Sequence, residues 1–293
     1  MRIIHISDLH AGAWLKSASA YFDKRVVGAT HFCMRRRNVH DWSLVAPAVQ
    51  QIRTLAPDIV VCTGDLASVS QPCEFEQARE ALAALAADQR FEFVYIPGNH
   101  DAYVHNSACN RALHETFRAL NRNRWSLDDL PTSIDLGTVR FLIVNEACPT
   151  FLLSARGRVT TAAEAWLRNE CEQPDVIEGR RRLVLVSHWP IADQHGRELT
   201  WLRRCGNNLF LRELLMSGRL SISLCGHIHT GFRRDEAGGG CEVCAGSLTS
   251  TGKFSVIDYN AIENKVSQRW LDVYGESTPL DPPLDVDGRV PAS

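Results

Sequence analysis

The stretch Arg2-Ile3-Ile4-His5-Ile6-Ser7-Asp8-Leu9-His10 decides how the rest of the chain reads. It is a short apolar run of the length of one buried strand. It ends on two metal-capable side chains spaced i and i+2, which share one side of an extended backbone. Four further runs end in the same manner, on Gly64-Asp65, on Gly98-Asn99-His100-Asp101, on Ser187-His188 and on Gly226-His227-Ile228-His229. In a parallel or mixed sheet such runs deliver their terminal residues to a single edge. Imidazole nitrogen and carboxylate oxygen form the donor set of hard or borderline divalent ions, and two such ions can share one carboxylate. The gathered residues therefore read as a two-metal hydrolytic site.

Working outward, residues 2–7, 58–63, 91–97, 139–145, 183–187 and 221–225 are compact β-branched or aromatic runs that predict strands. Helical periodicity fills 41–55, 74–87 and 107–120, so the chain opens in the order β-α-β-α-β. Thr161 and Glu164 have capping-box spacing ahead of Trp166 and Leu167, and 207–216 reads as a helix stopped by Gly218. Past the Gly238-Gly239-Gly240 turn, 241–245, 254–259 and 266–274 look like hairpin strands of a second sheet packed on the first. Residues 1–274 form one domain in this reading. Within it, 12–40 is an insertion over the site, and 275–293 is a loose tail.

Composition narrows the function classes. With 293 residues, 45% hydrophobic and 23% charged, the chain can bury a large core. Its formal charge of −2 argues against a chain-wide nucleic-acid surface, and the clusters Arg35-Arg36-Arg37, Arg180-Arg181-Arg182, Arg203-Arg204 and Arg233-Arg234 read mostly as solvated faces. Ten cysteines without regular spacing fit reduced thiols and a cytoplasmic protein. No run approaches the ~18 apolar residues of a membrane helix, and Met1 to Ile6 is too short for a signal peptide. Cys241-Glu242-Val243-Cys244 reads as strand in preference to a zinc site with His227 and His229. There is no nucleophile elbow, phosphate loop or dinucleotide fingerprint.

Taken in order, Asp-x-His, Gly-Asp, Gly-Asn-His-Asp, an isolated later His and Gly-His-x-His resemble the calcineurin-like metallophosphoesterase superfamily, over roughly residues 1–258. The resemblance implies an α/β fold, a four-layer α/β/β/α sandwich of two mixed sheets flanked by helices. It implies that Asp8, His10 and His229 bind a first metal and Asn99, His188 and His227 a second, with Asp65 bridging both. It further implies that His100 faces the leaving-group oxygen and that Asp101 orients it. Mn or Fe is the expected pair on this resemblance, while Zn, Co and Ni also suit the donors.

Gly64-Asp65-Leu66-Ala67-Ser68 lacks the Asp-Arg-Gly of protein phosphatases, and Asp101 stands where those have Glu. The pattern is more similar to bacterial phosphodiesterases, including the class III cyclic-nucleotide group. The implied activity is hydrolysis of a small-molecule or nucleotide phosphodiester by a hydroxide formed at the metals. Two rivals are a DNA-repair-type nuclease, which calls for a basic channel, and a scaffold that keeps the fold without chemistry. Neither a membrane nor nucleic acid is expected as a partner. Substrate identity and oligomeric state are left open. His5, His31, His40, His105, His114 and His195 read as core or surface residues, with Tyr103, His105 and His195 as candidates for the cleft wall.

Overall fold

Strands buried on both faces account for the continuous apolar runs, because alternate side chains serve two different cores. In the computed structural model, which describes residues 1–16, 20–21, 23–28, 39–275 and 277–278, β1 (Arg2–Ile6), β2 (Ile59–Cys62) and β3 (Glu92–Tyr95) are parallel neighbours. Ile4, Ile6, Val60, Cys62, Phe93 and Tyr95 face one core, and Ile3, Ile59, Val61 and Val94 face the other.

The second sheet repeats this arrangement with β4 (Thr132–Leu136), β5 (Val139–Ile143), β7 (Arg182–Val186), β9 (Ile222–Cys225), β10 (Phe232–Asp235) and β11 (Cys241–Cys244), in the order β10-β11-β9-β7-β5-β4. Phe141, Ile143, Val184, Val186, Ile222 and Leu224 meet the first sheet's inner residues in the shared core. β6 (Gly157–Arg158) and β8 (Cys205–Gly206) pair in a small separate ladder.

Helices cover the outer faces. α1 (Val45–Thr54), α2 (Pro72–Ala86) and α3 (Ser107–Leu120) pack on the first sheet through stripes such as Val45, Ala48, Val49 and Ile52 at helical spacing. α4 (Thr161–Cys171), α5 (Pro174–Ile177) and α6 (Leu209–Met216) cover the second through Ala163, Leu167, Val176, Phe210, Leu211 and Leu215. The result is the four-layer α/β/β/α sandwich, with two mixed sheets inside and helices on both flanks.

Three expectations change. The late strands do not all join the second sheet: β12 (Lys253–Asn260) pairs antiparallel with β1, and β13 (Lys265–Asp272) and β14 (Ser277–Thr278) extend the first sheet outward. Only β11 of that group completes the second sheet. The cap of α4 is Thr160, one residue early, because its side chain takes the N–H of Ala163 at 3.1 Å. The edge strands β4 and β10 gave no apolar signal, since each has one wet face. Arg35 to Arg37, about half of the expected 12–40 insertion and residues 276 and 279–293 of the expected tail lie outside the described residues. Among those described, nine cysteines are free thiols and no helix is long and apolar enough to cross a membrane.

One buried carboxylate ties α2 to the loops beyond β1 and β2. Glu74, in the first turn, accepts the N–H groups of Gln71 at 2.9 Å, Val69 at 3.0 Å and Ala13 at 3.4 Å. Burial outweighs these bonds and pushes its carboxyl up to about 7. The unfolded chain ionises this group near its ordinary value and the folded chain only near neutrality, so stability from Glu74 declines as pH rises across that window. In urea melts, wild type is expected to lose roughly 2 kcal/mol relative to Glu74→Gln between pH 5 and 8. Parallel pH profiles of the two proteins would contradict the assignment.

Candidate metal centre

The carboxyl ends of β1, β2, β3, β7 and β9 converge, and the loop beyond each carries the expected ligands. Backbone conformation at these ends is unusual: Asp8, His10, Asp65, His227 and His229 all adopt left-handed φ between 52° and 71°. Such conformations strain residues that carry a Cβ and tend to gather at functional sites. Gly98 and Gly226 permit the close approach. A Cβ on Gly98 would strike Asp65 Oδ1 and the His188 ring, and one on Gly226 would strike Ser7 and Asp8 Oδ2.

Asp8 and Asp65 are used alike. Asp8 Oδ2 accepts the His227 N–H at 3.0 Å, and Asp65 Oδ1 accepts the His100 N–H at 2.7 Å. The second oxygen of each, Asp8 Oδ1 and Asp65 Oδ2, is buried without a hydrogen bond. Around Asp8 Oδ1 stand His229 Nε2 at 3.2 Å and His10 Nε2 at 3.7 Å, and those two nitrogens are 2.9 Å apart. Asp65 Oδ2 lies 4.0 Å from His10 Nε2 on one side and 3.5 Å from His188 Nε2 on the other. One donor atom from each of Asp8, His10, Asp65 and His229 falls within 4.8 Å of the others.

Carbonyl contacts fix the ring tautomers on the far side of Asp65. His188 Nδ1 donates to the Thr63 carbonyl and His227 Nε2 to the Arg203 carbonyl at 2.9 Å, since a carbonyl can only accept. In the neutral rings His188 Nε2 and His227 Nδ1 are the nitrogens without a proton, and both face Asn99 Oδ1, at 3.3 and 2.7 Å. Burial keeps His227 neutral, its pKa lowered to about 3. Burial also lowers His188, but the Asp65 carboxylate outweighs it and pushes the ring up to about 10. A neutral His227 that turns its lone pair to Asn99 Oδ1, a His188 Nε2 that frees its lone pair on losing its proton, and an unbonded carboxylate oxygen beside them form a donor set that fits a divalent ion.

His100 stands at the same edge, its ring edge-on to His10 with centroids 5.0 Å apart and stacked on Tyr103 at 5.4 Å. Its Nδ1 is held by the Ser68 carbonyl at 2.6 Å, not by Asp101. The role expected of Asp101 is thereby corrected. Asp101 Oδ2 accepts Tyr95 O–H at 2.9 Å and Gly98 N–H at 3.0 Å, while Oδ1 accepts Ala67 N–H at 2.9 Å. It braces the loops after β2 and β3 against each other.

Sequence reading also missed Glu146, which is buried and accepts the N–H groups of His188 at 3.2 Å and Trp189 at 3.0 Å. His40, expected to be a core or surface residue, has its ring 4.6 Å from that of His10. His105 and His195 are exposed. Cys241 and Cys244 sit within β11, with Cys244 Sγ 3.2 Å from the Gly226 carbonyl, and no zinc grouping forms there among the described residues.

The chain belongs to the calcineurin-like phosphoesterase family, whose pattern it matches over residues 1–231. Members are metal-dependent, and the His and Asp groupings above could bind metal. It is 29% identical over 171 residues to glycerophosphodiester phosphodiesterase GpdQ of Enterobacter lignolyticus, covering 56% of this chain and 55% of that protein. It is 24% identical over 235 residues to a cAMP/cGMP dual specificity phosphodiesterase of Mycobacterium tuberculosis, covering 78% of this chain and 61% of the relative. The matches thus span little more than half the length of these relatives. In fold it is similar to a purple acid phosphatase from yellow lupin seeds (TM-score 0.59, 13% identity, 94% of this chain and 52% of that one). It is also similar to a dimetal phosphatase from Danio rerio (TM-score 0.52, 15% identity, 87% and 91%).

Gly98→Ala places a methyl group between Asp65 and His188 while keeping an ordinary backbone conformation. The variant is expected to fold, by circular dichroism, yet to retain divalent metal at least about tenfold more weakly after dialysis. Wild-type metal content in Gly98→Ala would show that the Asp65–His188 contact is not part of the centre.

Proposed function

We propose that the protein is a two-metal phosphodiesterase that hydrolyses small-molecule or nucleotide phosphodiesters. The observation that carries this reading is Asp65 Oδ2, buried and without a hydrogen bond between His10 on one side and His188 on the other. Asp8, His10 and His229 hold one divalent ion in this scheme, Asn99, His188 and His227 hold the second, and Asp65 is shared. Mn or Fe is the proposed pair. When bound, the two ions supply Lewis acidity toward water and toward the phosphoryl oxygens.

The chain's own groups then do the positioning. Glu146 holds the backbone N–H of His188, the Thr63 carbonyl holds its ring, and the Arg203 carbonyl holds the ring of His227, so the donors are oriented before any ligand arrives. His100 holds its Nδ1 proton on the Ser68 carbonyl and its ring flat against Tyr103, which leaves Nε2 to deliver a proton to the departing oxygen when the imidazole is charged. Such a proton matters most when the leaving group is a basic alkoxide, as in a diester of glycerol or a nucleoside. Both curated relatives are named as phosphodiesterases, which supports a diester over a monoester.

The test is an assay of metal-reconstituted protein on bis-p-nitrophenyl phosphate, p-nitrophenyl phosphate, cyclic nucleotides and single-stranded DNA. Diesters are expected to outpace the monoester, and turnover confined to the monoester would overturn the phosphodiesterase reading. His100→Ala is expected to keep its metal content. Its kcat should fall about 10²–10⁴-fold on an alkyl diester and much less with p-nitrophenolate as leaving group. An equal loss on both would remove the proton-donor role.

A further inference from the structure

His40 lies 30 residues beyond His10 in sequence, outside every motif, yet it is nearly buried at 9% exposure within the imidazole cluster. Its ring centroid is 4.6 Å from His10 and 5.5 Å from His229, tilted 58° and 81° to them. One ring nitrogen of each of the three falls within 4.8 Å of the others, a spacing at which one ion can be shared.

The hydroxyls beneath His40 bear on which of its nitrogens carries the proton. His40 Nδ1 is 2.9 Å from Thr249 Oγ1 and 3.0 Å from Ser250 Oγ, both in α7 (Leu248–Thr251). Thr249 Oγ1 gives its own proton to the Leu9 carbonyl at 2.9 Å. Ser250 Oγ gives its proton to Ser247 Oγ at 3.0 Å, and Ser247 Oγ in turn gives its proton to the Asp8 carbonyl at 2.7 Å. With its proton on the Leu9 carbonyl, Thr249 Oγ1 accepts from His40, which favours the tautomer with the proton on Nδ1 and the lone pair on Nε2. The Asp41 N–H, bound to the Thr249 carbonyl at 2.8 Å, fixes the backbone next to the ring. A histidine oriented through its distal N–H is the usual setting of a metal ligand.

We infer that His40 is a further ligand of the first metal, binding through Nε2 beside His10 and His229. The inference rests on the two-metal reading above. It adds a third imidazole to the two of His10 and His229, which belong both to the His10–His40–His229 grouping and to the Asp8–His10–Asp65–His229 grouping. The chain of hydroxyls from His40 to the Asp8 and Leu9 carbonyls also joins the new ligand to the backbone that carries the old ones.

Two measurements test it without reference to turnover. In wild type loaded with Zn(II), the His40 Nε2 resonance in ¹⁵N–¹H correlation spectra is expected to move to the metal-bound range together with those of His10 and His229. In His40→Ala and His40→Gln, Co(II) titrations followed by visible absorption are expected to show one of two sites weakened at least about tenfold and its band pattern altered, with the other site unchanged. A His40 resonance that does not respond to metal while His10 and His229 do, or Co(II) spectra and affinities equal to wild type, overturns the inference. Should neither variant fold, the wild-type resonances decide alone. Failure of the two-metal reading would look different, with no divalent ion held by the wild type at all.

Discussion

Two carboxylates removed from water, each with one oxygen anchored on a backbone N–H and the other turned inward, set the terms for everything around them. Burial by itself would push both groups up. The imidazoles of His10 and His229 hold Asp8 well below the usual carboxylate range, and those of His188 and His100 do the same for Asp65. Buried charge without compensation is among the costliest features a fold can contain, so positive charge must reside between these groups. A proton on His188 supplies it in one state. In the proposed function a cation would supply it in another, competing with that proton for the same lone pair.

The two-sheet architecture is what allows charges from five loops to share one small volume. Parallel pairing of β1, β2 and β3 in one sheet, and of β5, β7, β9 and β11 in the other, sends carboxyl ends to a common edge. The inter-sheet core of Ile3, Val61, Val94, Val184, Val186 and Leu224 then locks one edge against the other. A one-residue slip of any of these strands would exchange its two faces and carry its ligand away from the site. The apolar core and the polar centre are therefore set by the same register.

Those features were legible in the residues because strands buried on both faces leave unbroken apolar runs, and because each run stops at a polar cluster. Edge strands β4 and β10 left no such trace. Thr132 to Leu136 is half wet, and Arg233 and Arg234 are charged residues, the first bonded to the Val266 carbonyl and the second paired with the buried Glu242. The placement of β12 beside β1 depends on pairing over more than 250 residues of sequence, which no local pattern encodes. Asp101 was recognised as important, but not for the right partner: Gly-Asn-His-Asp says that a carboxylate is near, and only the turn's geometry directs it to Gly98, Ala67 and Tyr95. His40 was invisible for a similar reason. It follows no strand, and its neighbours in space arrive from residues 8–10, 229 and 247–250.

Left-handed backbone at five of the proposed ligand positions has an energetic meaning beyond local geometry. Each such residue costs on the order of 1 kcal/mol, so the set amounts to roughly 5 kcal/mol, comparable to the net stability of many domains. Conformations of that kind persist only where surrounding structure over-determines them. Here the N–H of His227 is held by Asp8, that of His100 by Asp65, and those of Asp8 and His10 by the carbonyls of Gly64 and Asp65. The loops thus brace one another with the very residues that face the centre. A ligand that bonds Asp8 and Asp65 more strongly in this arrangement than in any relaxed one stabilises the whole convergence by mass action. The strained backbone and the affinity for a cation are, on this argument, two sides of one coupling.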